Sequence, residues 1–329
     1  MQQWKNLQDT KGKSEMKILF TSIGRRVELV QAFRAAAEKD LLNLIIYGGD
    51  MEDFAPALSF CDHAVKLPGI IEDSYIPTLV RICNDEEIDA LIPTIDTDLL
   101  ILAENKGKFG KTKVLVSGAD KIAICRDKRL TAEFFNSVGL KAHRPTDDYL
   151  RYRGGFPAFI KPRNGSSSIF AYKVNDCDEL RAYAERVPDY IIQPFVDGTE
   201  YTVDIFCDFD GNPVFITPRI RLAVRAGEVL KTKILQDGKI INNIKTLVSE
   251  FQPCGPITVQ LIREFHTGED YYIEINPRFG GGAPLSMKAG ANSARALLRL
   301  LSGEKLGFVS GAAQDGAVFS RFDQSIRVI

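Results

Sequence analysis

Short apolar runs alternate with segments of helical apolar spacing through the first third of the chain. Buried-type strands are predicted at residues 17–22, 44–47, 64–66, 90–93 and 113–116, and helices near 27–39, 75–85 and 99–106. Strand–helix alternation with short connections predicts a parallel, doubly wound α/β sheet over residues 16–118. Residues 1–15 are polar, and we expect them to form a flexible extension before Met16.

The pattern changes after Gly118, where the α/β alternation gives way to hairpins. Residues 119–138 are helical in pattern, and two strand-like runs then flank a glycine–serine loop at 163–168. A second hairpin follows, with an Asp210-Gly211 turn between strands 201–209 and 213–222. Residues 283–303 read as a helical cover, and residues 304–329 as a weakly structured tail.

A third hairpin near residue 270 carries the most informative chemistry. Side chains alternate across a strand, so Glu274 and Asn276 share one face while Ile273 and Ile275 share the other. A five-residue loop would pair Glu264 with Asp270 and would place Gln260 directly opposite Glu274.

These three side chains suit a hard divalent cation. Gln260, Glu274 and Asn276 would converge as oxygen ligands for magnesium, which takes few protein ligands plus substrate phosphates. Arg278 adds a planar donor fork for phosphate oxygens. The alternative is a solvent-facing polar stripe on an ordinary hairpin, and a one-residue slip in register would also remove the site.

Composition narrows the function classes. The formal net charge is −1, from 42 basic and 43 acidic residues, and no basic stripe indicates nucleic acid. The six cysteines are scattered without a Cys-x-x-Cys pair, and the chain has only three histidines. This pattern argues against zinc sites and a disulfide framework and favours reduced thiols in the cytoplasm. No apolar segment reaches the length of about 18 residues that a membrane span needs.

The segment Ile273-Glu274-Ile275-Asn276-Pro277-Arg278, preceded by Thr258-Val259-Gln260, resembles the metal-binding signature of the ATP-grasp enzymes. It is most similar to the large chain of carbamoyl phosphate synthase and its stand-alone, single-module relatives. The resemblance runs from about Met16 to Gly303. It implies a Rossmann-like pre-ATP-grasp domain at 16–118 and a two-lobed α+β ATP-grasp domain with antiparallel sheets at 119–303. The lid subdomain would span about 150–195.

The resemblance also implies a set of ATP-binding residues. Lys128 and Lys161 match the two basic positions that touch phosphates, and the loop Gly165, Ser166, Ser167 and Ser168 would close over them. Backbone groups of Gln193, Pro194, Phe195 and Val196 would contact adenine, although the family often has Glu where this chain has Gln193. Glu200 would hold the ribose, and Lys231 and Lys233 would approach the triphosphate; for these two lysines a solvated strand face is an equal alternative.

The implied activity is ATP-dependent ligation of a carboxylate to an amine or another nucleophile through an acyl phosphate. Arg278 and Lys161 would be catalytic, and Mg²⁺ or Mn²⁺ would be the metal. Carbamoyl phosphate synthase-like phosphorylation of bicarbonate and a non-catalytic ATP sensor remain as alternatives. A nicotinamide enzyme is disfavoured, because Thr21–Arg26 lacks Gly-x-Gly-x-x-Gly. Partners would be small carboxylate and amine substrates, and the chain could form a homodimer.

Overall fold

Three β-sheets form the framework of the protein, whose computed structural model describes residues 15–165 and 169–328. The predicted extension lies outside these residues except for Glu15, and so do Ser166, Ser167 and Ser168 of the predicted phosphate loop. Within the described ranges, no helix has both the length and the apolar character needed to cross a membrane.

The N-terminal region is a five-stranded parallel sheet with strand order β3-β2-β1-β4-β5. Its strands are β1 (Met16–Thr21), β2 (Leu44–Asp50), β3 (His63–Lys66), β4 (Ala90–Pro93) and β5 (Lys113–Val114). Its helices are α1 (Val27–Lys39), α2 (Tyr75–Asp85) and α3 (Leu99–Asn105). The predicted doubly wound sheet is confirmed. The strand order reverses between β1 and β4, and ligands of open α/β sheets bind beyond the carboxyl ends of such strands.

The single helix predicted over 119–138 is wrong, because the structure has two. α4 (Ala119–Arg126) ends at Asp127, whose backbone is extended, and α5 (Lys128–Ser137) begins directly after it. The Asp127 carboxylate accepts a hydrogen bond from the Arg129 N–H at 2.9 Å, which is a standard N-cap contact. The break makes Lys128 the first residue of a new helix.

A small antiparallel sheet forms the second unit. It contains β6 (Ala158–Pro162), β7 (Tyr172–Val174) and β8 (Tyr190–Pro194), in the order β7-β6-β8, with α6 (Cys177–Ala184) packed on it. Asp176 caps α6 by accepting from two backbone N–H groups. The predicted hairpin around the glycine–serine loop is confirmed.

The third sheet has six strands in the order β13-β12-β9-β10-β11-β14. They are β9 (Gly198–Cys207), β10 (Pro213–Arg225), β11 (Glu228–Ile234), β12 (Pro256–Glu264), β13 (Asp270–Asn276) and β14 (Val318–Ser320). The accompanying helices are α7 (Gly238–Phe251), α8 (Ala283–Lys288) and α9 (Ser293–Leu301). Residues 304–329 are therefore not only a loose tail, because β14 adds an edge strand to β11.

The six-stranded sheet is apolar on one face and polar on part of the other. Val203, Ile205, Val259 and Ile275 pack against α5 and α7 in a continuous core. The intervening residues of the same strands, among them Thr202, face the other way. Strand alternation thus collects the polar side chains of four neighbouring strands on one surface.

A β-bulge determines which residues meet in the third hairpin. Arg263, not Glu264, pairs with Asp270, so the predicted pairing at the loop is wrong by one residue. A register shift between Gln260 and Leu261 then restores the predicted pairing of Gln260 with Glu274. The buried apolar residues of β13 are accordingly Tyr272 and Ile275, while Ile273 is only half-buried. The predicted shared face of Ile273 and Ile275 is disrupted at this bulge.

Candidate active site

A polar cleft lies over the polar face of the six-stranded sheet. Strands β9, β10, β12 and β13 form its floor, and the loop before α8 closes one side. The residues that line it are Thr202, Arg219, Arg221, Gly227, Glu228, Val229, Thr258, Gln260, Glu274, Asn276, Arg278 and Gly280–282. It therefore brings together the three predicted metal ligands and the predicted catalytic arginine.

The oxygen ligands predicted for magnesium lie side by side on β12 and β13. Asn276 Nδ2 donates to Glu274 Oε1 at 3.0 Å, which orients the Asn276 side-chain oxygen away from its own carboxylate neighbour. Gln260 stands across from Glu274, and its Oε1 accepts a long hydrogen bond of 3.3 Å from Arg221. Hard cations are coordinated by carboxylate and amide oxygens, so these three side chains fit magnesium. Gln260 Oε1 would be free to coordinate it once the Arg221 guanidinium binds a phosphate instead.

The two predicted phosphate-binding lysines lie close enough to Glu274 to interact with its charge, although neither is among the residues that line the cleft. Burial lowers the pKa of Lys161 to about 8, while the nearby Glu274 carboxylate opposes that effect. Burial lowers the pKa of Lys128 as well, and the Lys128 ammonium donates to the Gly165 carbonyl at 2.8 Å. The Glu274 carboxylate interacts electrostatically with both lysines, so the two ammonium groups lie near the predicted metal ligands.

Arg278 connects the cleft to the N-terminal region. Its Nη2 donates to Asp96 Oδ2 at 2.6 Å, and its Nη1 donates to the Phe279 carbonyl at 3.1 Å. Asp96 lies just beyond β4, at the strand-order reversal of the parallel sheet. Among the described residues, Arg278 Nε is buried without a hydrogen-bond partner. Both terminal nitrogens of the guanidinium are thus hydrogen-bonded, and the buried Nε is the one left without a partner among these residues.

Two further arginines line the cleft and were not predicted from the sequence. Arg221 Nη1 donates to Glu200 at 2.5 Å, and Arg219 forms a buried ion pair with Asp204 at 2.8 Å. The spacing Arg219-Ile220-Arg221 on a strand was the available signal, because residues two apart share a face. Opposite Glu228 stands Arg26, whose pKa is lowered first by burial and then by the nearby Arg278 charge.

Three consecutive glycines leave room for the arginines. A Cβ at Gly282 would stand 2.5 Å from Arg219 Nη2, and one at Gly280 would stand 2.8 Å from Thr258 Oγ1. A Cβ at Gly281 would overlap the Glu228 carboxylate. The glycine run after Arg278 therefore lets the backbone approach the cleft floor closely.

The predicted adenine segment joins the small sheet to the large one. The Phe195 N–H already donates to the Pro157 carbonyl at 3.0 Å, and Pro194 has no N–H, so neither can donate to a base. Any donor from this segment would be Gln193 or Val196. The Gln193 side chain donates to the His143 carbonyl at 2.6 Å. Glu200 follows on β9, and the Arg221 guanidinium occupies its Oε1.

The triphosphate contact of Lys231 and Lys233 stays a prediction, and strand pairing shows the face of the sheet on which these lysines lie. Arg221 pairs with Thr232 across β10 and β11, whereas Lys233 pairs with Ile220. Lys233 therefore lies on the face opposite the arginines, and Lys231, two residues away, shares that face. Neither lysine lines the cleft.

Asp98 does not line the cleft and instead stabilises the loop that follows β4. It is fully buried, and its Oδ2 accepts from Thr21, Ser22 and Tyr75 hydroxyls at 2.9, 3.4 and 3.1 Å. Burial raises its pKa to about 6. These hydrogen bonds tie the loop that carries Asp96 to β1 and α2.

Comparison with known proteins adds family information to this geometry. A model described as "PylC-like, N-terminal domain" matches residues 18–117, and one described as "ATP-grasp in the biosynthetic pathway with Ter operon" matches residues 186–319. The carbamoyl phosphate synthase large chain of Campylobacter jejuni is 23% identical over 315 residues, covering 80% of this chain and 29% of that one.

Other relatives match shorter stretches. The D-alanine–D-alanine ligase of Bacillus anthracis is 26% identical over 156 residues, which is 39% of this chain and 50% of the ligase. Acetyl-CoA carboxylase 1 of rice matches over 38% of this chain and 6% of its own length. The chain thus spans at most about half the length of these curated relatives.

Solved structures share the fold over nearly the whole chain. The biotin carboxylase domain dimer of Hydrogenobacter thermophilus 2-oxoglutarate carboxylase, solved with MgADP and bicarbonate, has a TM-score of 0.73 at 15% identity. It covers 92% of this chain and 73% of that one. The L-amino acid ligase of Bacillus licheniformis has a TM-score of 0.68 at 18% identity, with coverages of 88% and 75%. The two successive family matches, the relatives and the shared fold together show that this chain is similar to ATP-grasp proteins along most of its length.

Proposed function

We propose that the protein is an ATP-dependent ligase that joins a carboxylate to an amine or a related nucleophile through an acyl phosphate. The observation that carries this proposal is the convergence of Gln260, Glu274, Asn276 and Arg278 in one cleft, with the Lys161 ammonium close enough to interact with the Glu274 charge. Ligases and carboxylases among the relatives and structural neighbours support the same class of chemistry.

The proposed chemistry requires charge neutralisation more than a protein nucleophile. A carboxylate that attacks the γ-phosphorus of ATP brings one anion towards another, so cations must surround the transferring group. Lys161, buried at 8% exposure, supplies such a charge, and Arg278, which lines the cleft, supplies another. Bound magnesium would neutralise phosphate oxygens further. The amine then displaces phosphate from the acyl phosphate, which forms the C–N bond.

Gln260, Glu274 and Asn276 would hold the metal, and we propose magnesium with manganese as a substitute. The proposed substrates are a small carboxylate and an amine, and we propose a homodimer, since one structural neighbour was solved as a domain dimer. All six cysteines are free thiols, which supports the cytoplasmic location that we propose.

The test is the substitution Glu274→Ala. Magnesium-dependent ADP release, measured over a panel of carboxylate–amine pairs, should fall by roughly 10²–10³-fold or more, as when a catalytic site loses an electrostatic group. The fold should persist, because Glu274 lies on the half-buried polar face rather than in the core. Glu269→Ala, on an exposed part of the hairpin loop, is the matched control.

Undiminished turnover in the Glu274→Ala protein would exclude the metal assignment. If the wild-type protein binds Mg–ATP tightly but no pair gives ADP, a non-catalytic nucleotide sensor would replace the ligase. ADP release with bicarbonate as the sole carboxylate would instead indicate carbamoyl phosphate synthase-like chemistry.

A further inference from the structure

Three arginines that line the cleft, Arg219, Arg221 and Arg278, each have a guanidinium nitrogen that is buried without a partner among the described residues, and Arg219 is the least exposed of the three. Arg219 is 3% exposed, and its Nε and Nη2 donate to the Asp204 carboxylate at 2.8 and 3.4 Å. Its Nη1 has no acceptor within the described ranges. Buried N–H groups nearly always find an acceptor, and an unsatisfied one carries a free-energy cost. The nitrogen therefore marks a position where a bound molecule would supply the acceptor.

The surroundings of Arg219 hold this nitrogen in place. Asp204 is itself buried and also accepts from the Ser286 hydroxyl at 2.6 Å. Ser286 belongs to α8 and orients the Asp204 carboxylate, which in turn holds the guanidinium. Elements β9, β10 and α8 therefore all take part in positioning it. Gly282 has φ −93°, which any residue can adopt, yet a Cβ there would stand 2.5 Å from Arg219 Nη2. Space for the guanidinium, rather than backbone conformation, thus accounts for glycine at this position.

Arg219 lies away from the predicted phosphoryl-transfer position. Its guanidinium leans from β10 towards Asp204 on β9, while Glu274 lies on β13, with β12 between them. Two strand spacings amount to about 10 Å. One carboxylate cannot contact both Arg219 and the Glu274–Lys161 end of the cleft. The reacting carboxylate is needed at the latter end, where the charges of Lys161 and Arg278 are.

We propose that Arg219 Nη1 binds a second substrate carboxylate, distinct from the one that ATP phosphorylates. This inference rests on the proposed ligase function and adds a recognition element to it. A carboxylate fits better than a phosphate dianion, because Asp204 and Glu228 already place negative charge around this part of the cleft. The second carboxylate belongs either to the carboxylate substrate, as in a dicarboxylate, or to the amine, as in an amino acid.

Two matched pairs of probes separate these sources. The protein is loaded with magnesium and the non-hydrolysable analogue AMPPNP, and binding is measured by isothermal titration calorimetry. Glutarate against its monoamide tests a dicarboxylate, and L-alanine against L-alaninamide tests a carboxylate on the amine. In the wild-type protein, one pair should favour the free carboxylate by about 10- to 100-fold, as expected for one hydrogen bond to a charged group.

Gly282→Ala is the principal variant, because its added methyl group displaces the Arg219 guanidinium without removing the charge that balances buried Asp204. It should abolish the preference while the AMPPNP affinity stays within about twofold. Arg219→Gln should do the same, although it leaves Asp204 without its ion-pair partner and lowers stability. Gly307→Ala, where a Cβ meets no atom within 4 Å, is the control.

A preference for the free carboxylate that survives both variants would overturn the proposal. So would the absence of any preference in the wild-type protein with either pair. Neither result would be confused with failure of the proposed ligase function. In that case AMPPNP binding would depend neither on magnesium nor on Glu274.

Discussion

The two sides of the cleft present their charged residues in different ways. On the β12–β13 side, Glu274, Asn276 and Arg278 lie within five positions of one another, and Gln260 is their direct cross-strand neighbour. On the β10–β11 side, Arg219 and Arg221 alternate on one strand, as Lys231 and Lys233 do on the next. Only the arginines face the cleft.

The difference shows what alternation along a strand can and cannot establish. Two residues two positions apart share a face, but their sequence does not say which face of the sheet that is. In the hairpin of β12 and β13, a carboxylate, an amide and a guanidinium occur together, and this combination indicates a bound ligand. The motif therefore shows which face of the hairpin points into the cleft. A pair of lysines carries no such signal, since a solvated face suits them equally well.

The largest effect should come from Lys161→Ala on the hairpin side of the cleft. Loss of a buried cation near Glu274 should lower ATP turnover by roughly 10²–10³-fold. The matched control is Lys233→Ala, which should leave turnover within about twofold because Lys233 pairs with Ile220 on the face of the sheet opposite the cleft arginines. Steady-state ADP release measures both. Equal losses in the two variants would mean that the face assignment of β11 is wrong.

Arg221→Ala should have the next largest effect, on the arginine side. It removes the ion pair with Glu200 and the hydrogen bond to Gln260, so the affinity for Mg–ATP should fall by about 10- to 100-fold. Arg225→Ala, four residues along the same strand, is the control, because its ion pair with Asp323 is exposed. Calorimetric titration with Mg–AMPPNP distinguishes them. If the Arg221→Ala protein kept the wild-type affinity for Mg–AMPPNP, we would conclude that only the β12–β13 side of the cleft binds the nucleotide.

Asp96→Asn should have a smaller effect that reaches the cleft through Arg278. The substitution keeps the size of the side chain but removes the charge that holds Arg278 Nη2 at 2.6 Å. We expect kcat to fall by about tenfold, with little change in KM for ATP, because the Asp96 charge does not act on Lys161. Asp96→Glu should restore part of kcat. A rise in KM that matches the fall in kcat would argue against a positioning role for Asp96.

The smallest predicted effect concerns pH. Lys161 is charged below its pKa of about 8 and neutral above it, so kcat/KM for ATP should fall as pH rises through 8. Between pH 7 and 8.5 the loss should be about fourfold, from the change in the protonated fraction. Lys161→Arg should remove this inflection, because a guanidinium stays charged throughout. An inflection that persists in Lys161→Arg belongs to another group.

Much of the fold was predictable because its signals are local. Apolar runs and their spacing identified the parallel sheet of the first third. The break at Asp127 was missed, because the apolar pattern continues across it and only the N-cap contact to Arg129 interrupts the helix. The edge strand β14 was also missed, since three residues become a strand only where β11 offers its free edge.

The sequence by itself predicted the candidate metal-binding hairpin, because that prediction depends on residue type and near-neighbour spacing. Its resemblance to the ATP-grasp enzymes implied the two phosphate-binding lysines and the class of chemistry. Tertiary structure alone decided the rest. A bulge set the register of Gln260 against Glu274, and strand pairing turned Arg219 into the cleft and Lys233 away from it. The contact between Asp96 and Arg278 joins residues 182 positions apart, and such a pairing arises only when separately folded sheets pack together.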